Sequence, residues 1–212
     1  MIAVIFNSFL ETVLMTAVSF VIGILLGGPL AILLYLTSQG GLAEHKWVNQ
    51  SLGLLINSAR SVPYIILTVL LIPLTRILTG SSIGTLSAVI PLGVSAILLT
   101  ARVVEEAFRS LPHGYLDLGV SLGASRLQII RMIVIPETLP NIVAGLTLIL
   151  INLTGFSAMA GAVGGGGLGD LAIRYGYQRY DLTVLTVVVL ILIVWVQLIQ
   201  FGGEKLAKKL RK

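Results

Sequence analysis

The fold class this chain predicts is an all-α integral membrane protein. It has five transmembrane helices, the N-terminus outside and the C-terminus inside. Three observations carry that reading. The 212 residues are 56% hydrophobic and only 11% charged, with a mean hydropathy of +1.01; a soluble domain carries about a quarter charged residues. Five apolar stretches follow one another, most of them long enough to cross about 30 Å of hydrocarbon at about 1.5 Å per residue. The basic residues are distributed unevenly among the segments that join them.

The first span covers about residues 13–36. Within it Gly23 and Gly27 form a small-xxx-small pair that lets a neighbouring helix approach closely. Thr37-Ser38-Gln39-Gly40-Gly41 then breaks the helix. Residues 43–59 mix Trp47, Leu52, Leu54, Leu55 and Ile56 with Lys46, Asn49, Gln50 and Asn57, the pattern of an interfacial helix leading into the second span. That span, about 62–77, starts beside Pro63, which suits a first helical turn because its missing N–H is not needed there.

Thr79-Gly80-Ser81-Ser82 is a turn. The third span, about 83–101, contains Pro91 and Gly93, where a kink is expected. It continues as a polar helix over 102–110, stopped by Leu111-Pro112-His113-Gly114. The fourth span covers about 141–160. After it, residues 161–169 hold six glycines, and 170–181 read as a polar, aromatic loop. The fifth span is about 182–201, and a basic tail over 203–212 ends the chain.

Orientation follows from Lys and Arg in short loops. With the C-terminus inside, eleven basic residues face inward and Arg76, Arg174 and Arg179 face outward. Five of the inner eleven (Lys205, Lys208, Lys209, Arg211, Lys212) crowd the last eight positions, an anchor against anionic headgroups rather than a nucleic-acid surface. No Lys or Arg precedes Lys46, so the apolar N-terminus is not read as a secretory signal. There is no cysteine, and His45 and His113 lie far apart in polar segments, so no metal site is expected.

The stretch from Asp117 to Pro140 is the long polar-faced segment of an oily chain. Residues 115–122 read as one short helix, ended by Gly123, which tolerates a positive φ. Ser125 can cap the next helix, 126–135, with Leu127, Ile130, Ile133 and Val134 as its apolar stripe. Ile135 precedes Pro136 and is expected to leave helical geometry there. The expectation is two short helices at an angle, held near the membrane by Pro136 and Pro140. Gly119, Ser121, Gly123 and Ala124 leave the tip nearly bare, so that a partner's surface can approach it. The competing reading is an amphipathic segment lying on lipid.

No Gly-x-x-x-x-Gly-Lys-[Ser/Thr] phosphate loop occurs, so energy for any active process must come from a partner. The run Gly164-Gly165-Gly166-Gly167 has no lysine and opens no βαβ unit, which argues against a phosphate cradle. A flexible turn and a hinge or docking surface remain open for it. Polar residues inside the spans (Thr68, Asn152, Thr154, Ser157) are not ionisable, while Glu11 is placed at a helix end and Glu105–Glu106 outside the core. An ion-coupled secondary carrier usually buries an acid or base and repeats its halves, so that alternative is disfavoured. A membrane-anchored scaffold stays open.

Asp117-Leu118-Gly119, Gly123-Ala124 and Ile135-Pro136-Glu137-Thr138-Leu139-Pro140 resemble the EAA loop of ATP-binding-cassette importer permeases, with Asp for Glu and Leu-Gly for Ala-Ala. Arg60-Ser61-Val62-Pro63, the segment from Gly155 to Gly164, Gly167-Leu168-Gly169 and Tyr175-Gly176-Tyr177 are similar to the permease subunit of bacterial methionine importers. The resemblance implies a type I importer transmembrane domain over 8–202, with a coupling region over 102–140, in the bacterial cell membrane. It implies a homodimer, two ATPase subunits that bind ATP and Mg, an outer substrate-binding lipoprotein and methionine as solute. The ATPase would be met by Asp117, Leu118, Gly119, Gly123, Ala124, Ser125, Ile135, Pro136, Leu139 and Pro140. Ser157 and Met159 are its candidates for the pathway, against plain helix packing. Gly164 to Gly167, Tyr175 and Tyr177 would form a hinge or contact the binding protein, against a turn and an interfacial aromatic belt.

Overall fold

The computed structural model describes residues 1–211, and every regular element among them is helical. Four helices are long and apolar enough to cross a membrane: α1 (Ile2–Thr37), α5 (Thr85–Arg109), α7 (Arg126–Ala162) and α9 (Leu182–Leu210). Between α1 and α5 lie α2 (Lys46–Arg60), α3 (Tyr64–Leu70) and α4 (Ile72–Thr79). The short α6 (Gly114–Ser121) precedes α7. The short α8 (Gly167–Leu171) runs into a wide turn over Ala172–Tyr177 before α9.

The expected second span, 62–77, is not one helix. It is broken at Leu71, whose φ of −86° and ψ of 0° lie outside the helical region, two residues before Pro73. A proline is welcome in the first turn of a new helix and unwelcome inside an old one. The pair α2 and α3 is bent by 101° and counts as a fifth crossing only if read as one broken span. The amphipathic character expected for 43–59 appears as α2, whose Asn49 amide donates to the Leu34 carbonyl at 2.7 Å and to Thr37 Oγ1 at 3.2 Å.

α5 is the central post. It packs on α1 and α7 through Leu92, Ala96, Met15, Ile149 and Leu153, all at most 1% exposed. Gly23 and Gly27 do what their spacing predicts. A Cβ on Gly23 would sit 2.7 Å from Ala96 Cβ, and one on Gly27 would sit 2.6 Å from the Ile97 carbonyl oxygen. Both glycines lie in a wide helical turn, Gly23–Gly27. Pro91 is buried inside α5, which runs unbroken past it.

One expectation about a helix end is overturned. Ile135 does not leave helical geometry: its φ of −62° and ψ of −50° are α-helical, and α7 continues through Pro136 and Pro140. A wide turn over Ile130–Val134 precedes the proline, and the Ile135 N–H bonds back to the Ile130 carbonyl, five residues away. That extra residue per turn absorbs Pro136, in the way such bulges relieve a helix. The basic tail is helical as far as Leu210, the end of α9.

Gly27→Val is expected to cost about 1–3 kcal/mol by overpacking, because the atom it meets is backbone and cannot rotate away. Thermal unfolding of the purified protein in detergent checks this, with Gly28→Val, which faces open space, as the control that should melt near the parent.

Candidate functional site

At one end of the bundle α6 and the first turns of α7 make a protruding knob. α6 closes with Gly123 at φ +71°, the Gly123 N–H bonding the Val120 carbonyl at 2.9 Å and the Ala124 N–H reaching the Gly119 carbonyl at 3.1 Å. This is a Schellman closure, and the left-handed residue in it favours glycine. Ser125 then caps α7 as expected: its Oγ accepts from the Gln128 N–H, and Gln128 Oε1 accepts from the Ser125 N–H at 2.8 Å. The two bonds form a capping box.

The knob's inner side is firmly packed. Leu116, Ile129, Ile130 and Val134 bury against Val104, Ala107 and Phe108 of α5 and Ala31 and Tyr35 of α1, with Tyr35 and Phe108 rings 5.4 Å apart. Gly119 belongs to this inner side. It is buried, and a Cβ there would lie 2.9 Å from Ile129 Cγ1 and 3.2 Å from Ile133 Cδ1. Its small size serves packing within the knob, not approach by a partner. Gly123 is the bare position, with nothing near its missing Cβ.

The outer side of the knob carries Leu118 at 55%, Leu122 at 75% and Leu127 at 74% exposure. The sequence places Leu127 in an apolar stripe and gives Leu122 no role. Asp117, Ser125 and Pro136 are exposed beside them, while Ala124, Ile135, Leu139 and Pro140 are half-buried. An apolar patch flanked by Asp117, Arg126 and Arg131 is the kind of surface that marks a protein contact.

Toward its C-terminal end α5 carries a buried charge cluster. Glu105, 2% exposed, accepts from Arg102 Nη1 at 2.7 Å and from Arg109 Nε and Nη2 at 3.0 and 2.8 Å. Arg102 also donates to the Gly53 carbonyl of α2 at 2.9 Å. Glu105 was expected outside the core, and burial corrects that. Both carboxylate oxygens are occupied by fixed cations, so it is a structural strut rather than an exchangeable ion site. Spacing alone contained the signal: Arg102, Glu105 and Arg109 fall on one helical face.

At the other end the glycine-rich segment is not a loop on the surface. Gly165 and Gly167 are buried, Gly164 and Gly166 half-buried. Gly164, Gly166 and Gly167 take positive φ, at 88°, 77° and 75°, and Gly161 and Gly169 pack backbone to backbone around the turn. The segment expected as a polar loop over 170–181 begins as α8 and its wide turn, with Leu168 and Leu171 packed against Val184 and Val188 of α9. Glu11, which lies inside α1 and not at a helix end, accepts from the Gly167 N–H at 2.7 Å; Thr12 Oγ1 accepts from the Leu168 N–H at 2.9 Å. These two side chains staple the start of α8 to α1, a role the sequence reading missed. An acid within an apolar span was the available clue.

Around this end Tyr177 and Tyr180 are exposed, Tyr175 is half-buried under the Arg179 guanidinium at 4.5 Å, and Arg174 pairs with Asp170. Ser157 is 1% exposed and donates to the Thr154 carbonyl at 2.7 Å. Met159 is 49% exposed.

A chain with four helices long and apolar enough to cross a membrane is an integral membrane component. It belongs to the family described as binding-protein-dependent transport system inner membrane component, whose pattern matches residues 21–212. The chain is 45% identical over 199 residues to the probable D-methionine transport system permease protein MetI of Vibrio cholerae serotype O1, covering 94% of this chain and 88% of that one. It is 42% identical over 202 residues to the same-named protein of Pasteurella multocida, covering 95% and 93%. Among solved structures, a chain of the MetNI methionine ABC transporter in inward-facing conformations matches with a TM-score of 0.98 at 39% identity, covering 100% of this chain and 98% of that one. An amino acid ABC transporter with histidines matches at a TM-score of 0.73 and 20% identity, over 99% and 93%, and shares the fold.

Gly119→Val is expected to loosen the knob by about 1–3 kcal/mol through overpacking, while Gly123→Ala costs about 1 kcal/mol through its left-handed backbone alone. Proteolysis of the purified protein between 115 and 130 should accelerate more in the first variant than in the second.

Proposed function

We propose that this chain forms the translocation pathway of an ATP-driven methionine importer, acting on the L-form and the D-form. It works as a homodimer with two ATP-binding-cassette ATPase subunits against the knob and a substrate-binding lipoprotein at the opposite face. ATP and Mg are held by the ATPase, since the chain has no phosphate loop. The observation that carries the reading is the exposed Leu118, Leu122 and Leu127 patch on a knob whose inner side is fully packed. Full-length likeness to methionine permeases supports the solute. Asp117, Gly123, Ser125 and Pro136 border the docking surface. Gly119, Ala124, Ile135, Leu139 and Pro140 shape it from behind.

Closure of the ATPases on ATP draws the two knobs together, and the packed seam to α5 and α1 hands that movement to the spans. Met159 faces the pathway and Ser157 stiffens the helix behind it. Gly164 to Gly167 set the outer turn, and Tyr177 with Tyr175 borders the binding protein. The knob, and with it the basic end of α9, lies in the cytoplasm, as the distribution of Lys and Arg supports.

Reconstitution with the ATPase and the binding protein in liposomes tests the reading. Methionine inside the vesicles should accumulate only with ATP, and Leu122→Asp should abolish co-purification of the ATPase while leaving the permease's own melting temperature unchanged. Uptake driven by an ion gradient without ATP would overturn it. For orientation, the absence of native cysteine makes single replacements clean. A membrane-impermeant thiol reagent should label Tyr180→Cys in intact spheroplasts and label Ser125→Cys only after lysis.

A further inference from the structure

At the bend of 101° between α2 and α3 lies a cavity of about 140 Å³. Arg60, the last residue of α2, and Tyr64, the first of α3, line it with Ser95, Leu98 and Leu99 of α5 and Phe156 of α7. Ser95 stands about 15 Å from one end of α5 (Thr85–Arg109) and Leu99 about 15 Å from the other, at about 1.5 Å per residue. The cavity therefore sits half-way along the span, where a broken helix can show polar groups to a passing solute. Tyr64 and Phe156 are stacked with ring centroids 4.7 Å apart. Tyr64 is 6% exposed and its Oη is buried without a hydrogen-bond partner, which is costly unless a guest bonds it. Arg102 and Arg109 share Glu105, but Arg60 forms no salt bridge among the described residues, and the lining holds no carboxylate. On α7 Phe156 is one turn from Asn152 and one turn from Met159, both exposed, so the cavity adjoins the side proposed to face the pathway.

We infer that this cavity is a solute subsite within the permease itself, taking one free α-amino acid with an unbranched apolar side chain. The Arg60 guanidinium holds the carboxylate, for which its forked donors are suited. Tyr64 Oη bonds the ammonium group, and the side chain lies among Leu98, Leu99 and the two rings, contacts that a thioether makes well. Size and charge select this occupant. A cavity of about 150 Å³ holds a guest the size of benzene, so one side chain fits and a lipid acyl chain does not. An uncharged apolar guest would leave Arg60 and Tyr64 Oη unanswered. The inference rests on the importer reading and adds that the permease takes part in selecting the solute.

The test uses the complete transporter in liposomes, with the near-isosteric Ser95→Cys placed in a chain that has no cysteine of its own. A small methanethiosulfonate reagent labels the new thiol, and the mass of the permease chain reads the extent. Methionine and norleucine should slow labelling about tenfold, the scale of one hydrogen bond to a charged group. Glycine, which lacks the side chain, and 3-(methylthio)propylamine, which lacks the carboxylate, should protect far less. Arg60→Gln should remove the protection and raise the KM of methionine uptake about tenfold, and Arg60→Lys should recover part of both. Arg60 is exposed, and co-purification of the ATPase checks that each variant is assembled. Equal protection by glycine, unaltered protection in Arg60→Gln, or a thiol that the reagent never reaches would overturn the proposal. ATP-driven methionine uptake without protection at Ser95→Cys would sink the subsite and leave the importer reading standing; absence of that uptake in the parent would sink both.

Discussion

Inside hydrocarbon, each backbone N–H and C=O must find its partner within the protein, and an orphan costs several kcal/mol. The irregularities of this chain are arranged by that constraint. The wide turns at Gly23–Gly27, Ile130–Val134 and Ala172–Tyr177 change the helical repeat without opening the hydrogen-bond ladder. At the glycine-rich turn the ladder does open, and Glu11 and Thr12 supply acceptors for the freed N–H groups. Glycine is needed there twice over, for positive φ and for contact between backbones.

The same economy governs charge. Glu105 is tolerated in the core because two guanidinium groups occupy both its oxygens, and Arg102 passes part of its donor capacity on to α2. Removing one partner of such a cluster strands the rest, which is costly even where the intact cluster adds little net stability. One irregularity is left: Arg102 Nε is buried without a partner. The cluster thus joins α5 to α2 more by position than by strength.

How much of this was legible beforehand depends on the range of the interaction. Gly23 and Gly27, the cap at Ser125 and the positive φ at Gly123 were readable, because their causes lie within a few residues. The passage of α7 through Pro136 was not, since the local rule for the residue before proline lost to a wide turn stabilised by the packing of Ile129, Ile130 and Val134. Gly119 was read as bare because its neighbours in space, Ile129 and Ile133, come from the next helix. The stapling of the glycine run was not legible, because its partners, Glu11 and Thr12, stand 156 residues away. The exposed patch was legible only in part: Leu118 was among the residues the resemblance implies for the ATPase, while Leu122 and Leu127 look like core until the fold turns them outward.

The uninterrupted course of α7 has a mechanical consequence. At about 1.5 Å per residue, its 37 residues make a rod about 55 Å long, with the knob at one tip and the glycine turn at the other. A rod tilting by about 10° about its middle carries each tip about 5 Å, in opposite directions. A hinge at Ile135 would have spent the same push locally. With a see-saw in its place, narrowing one mouth of the protein and widening the other are a single displacement.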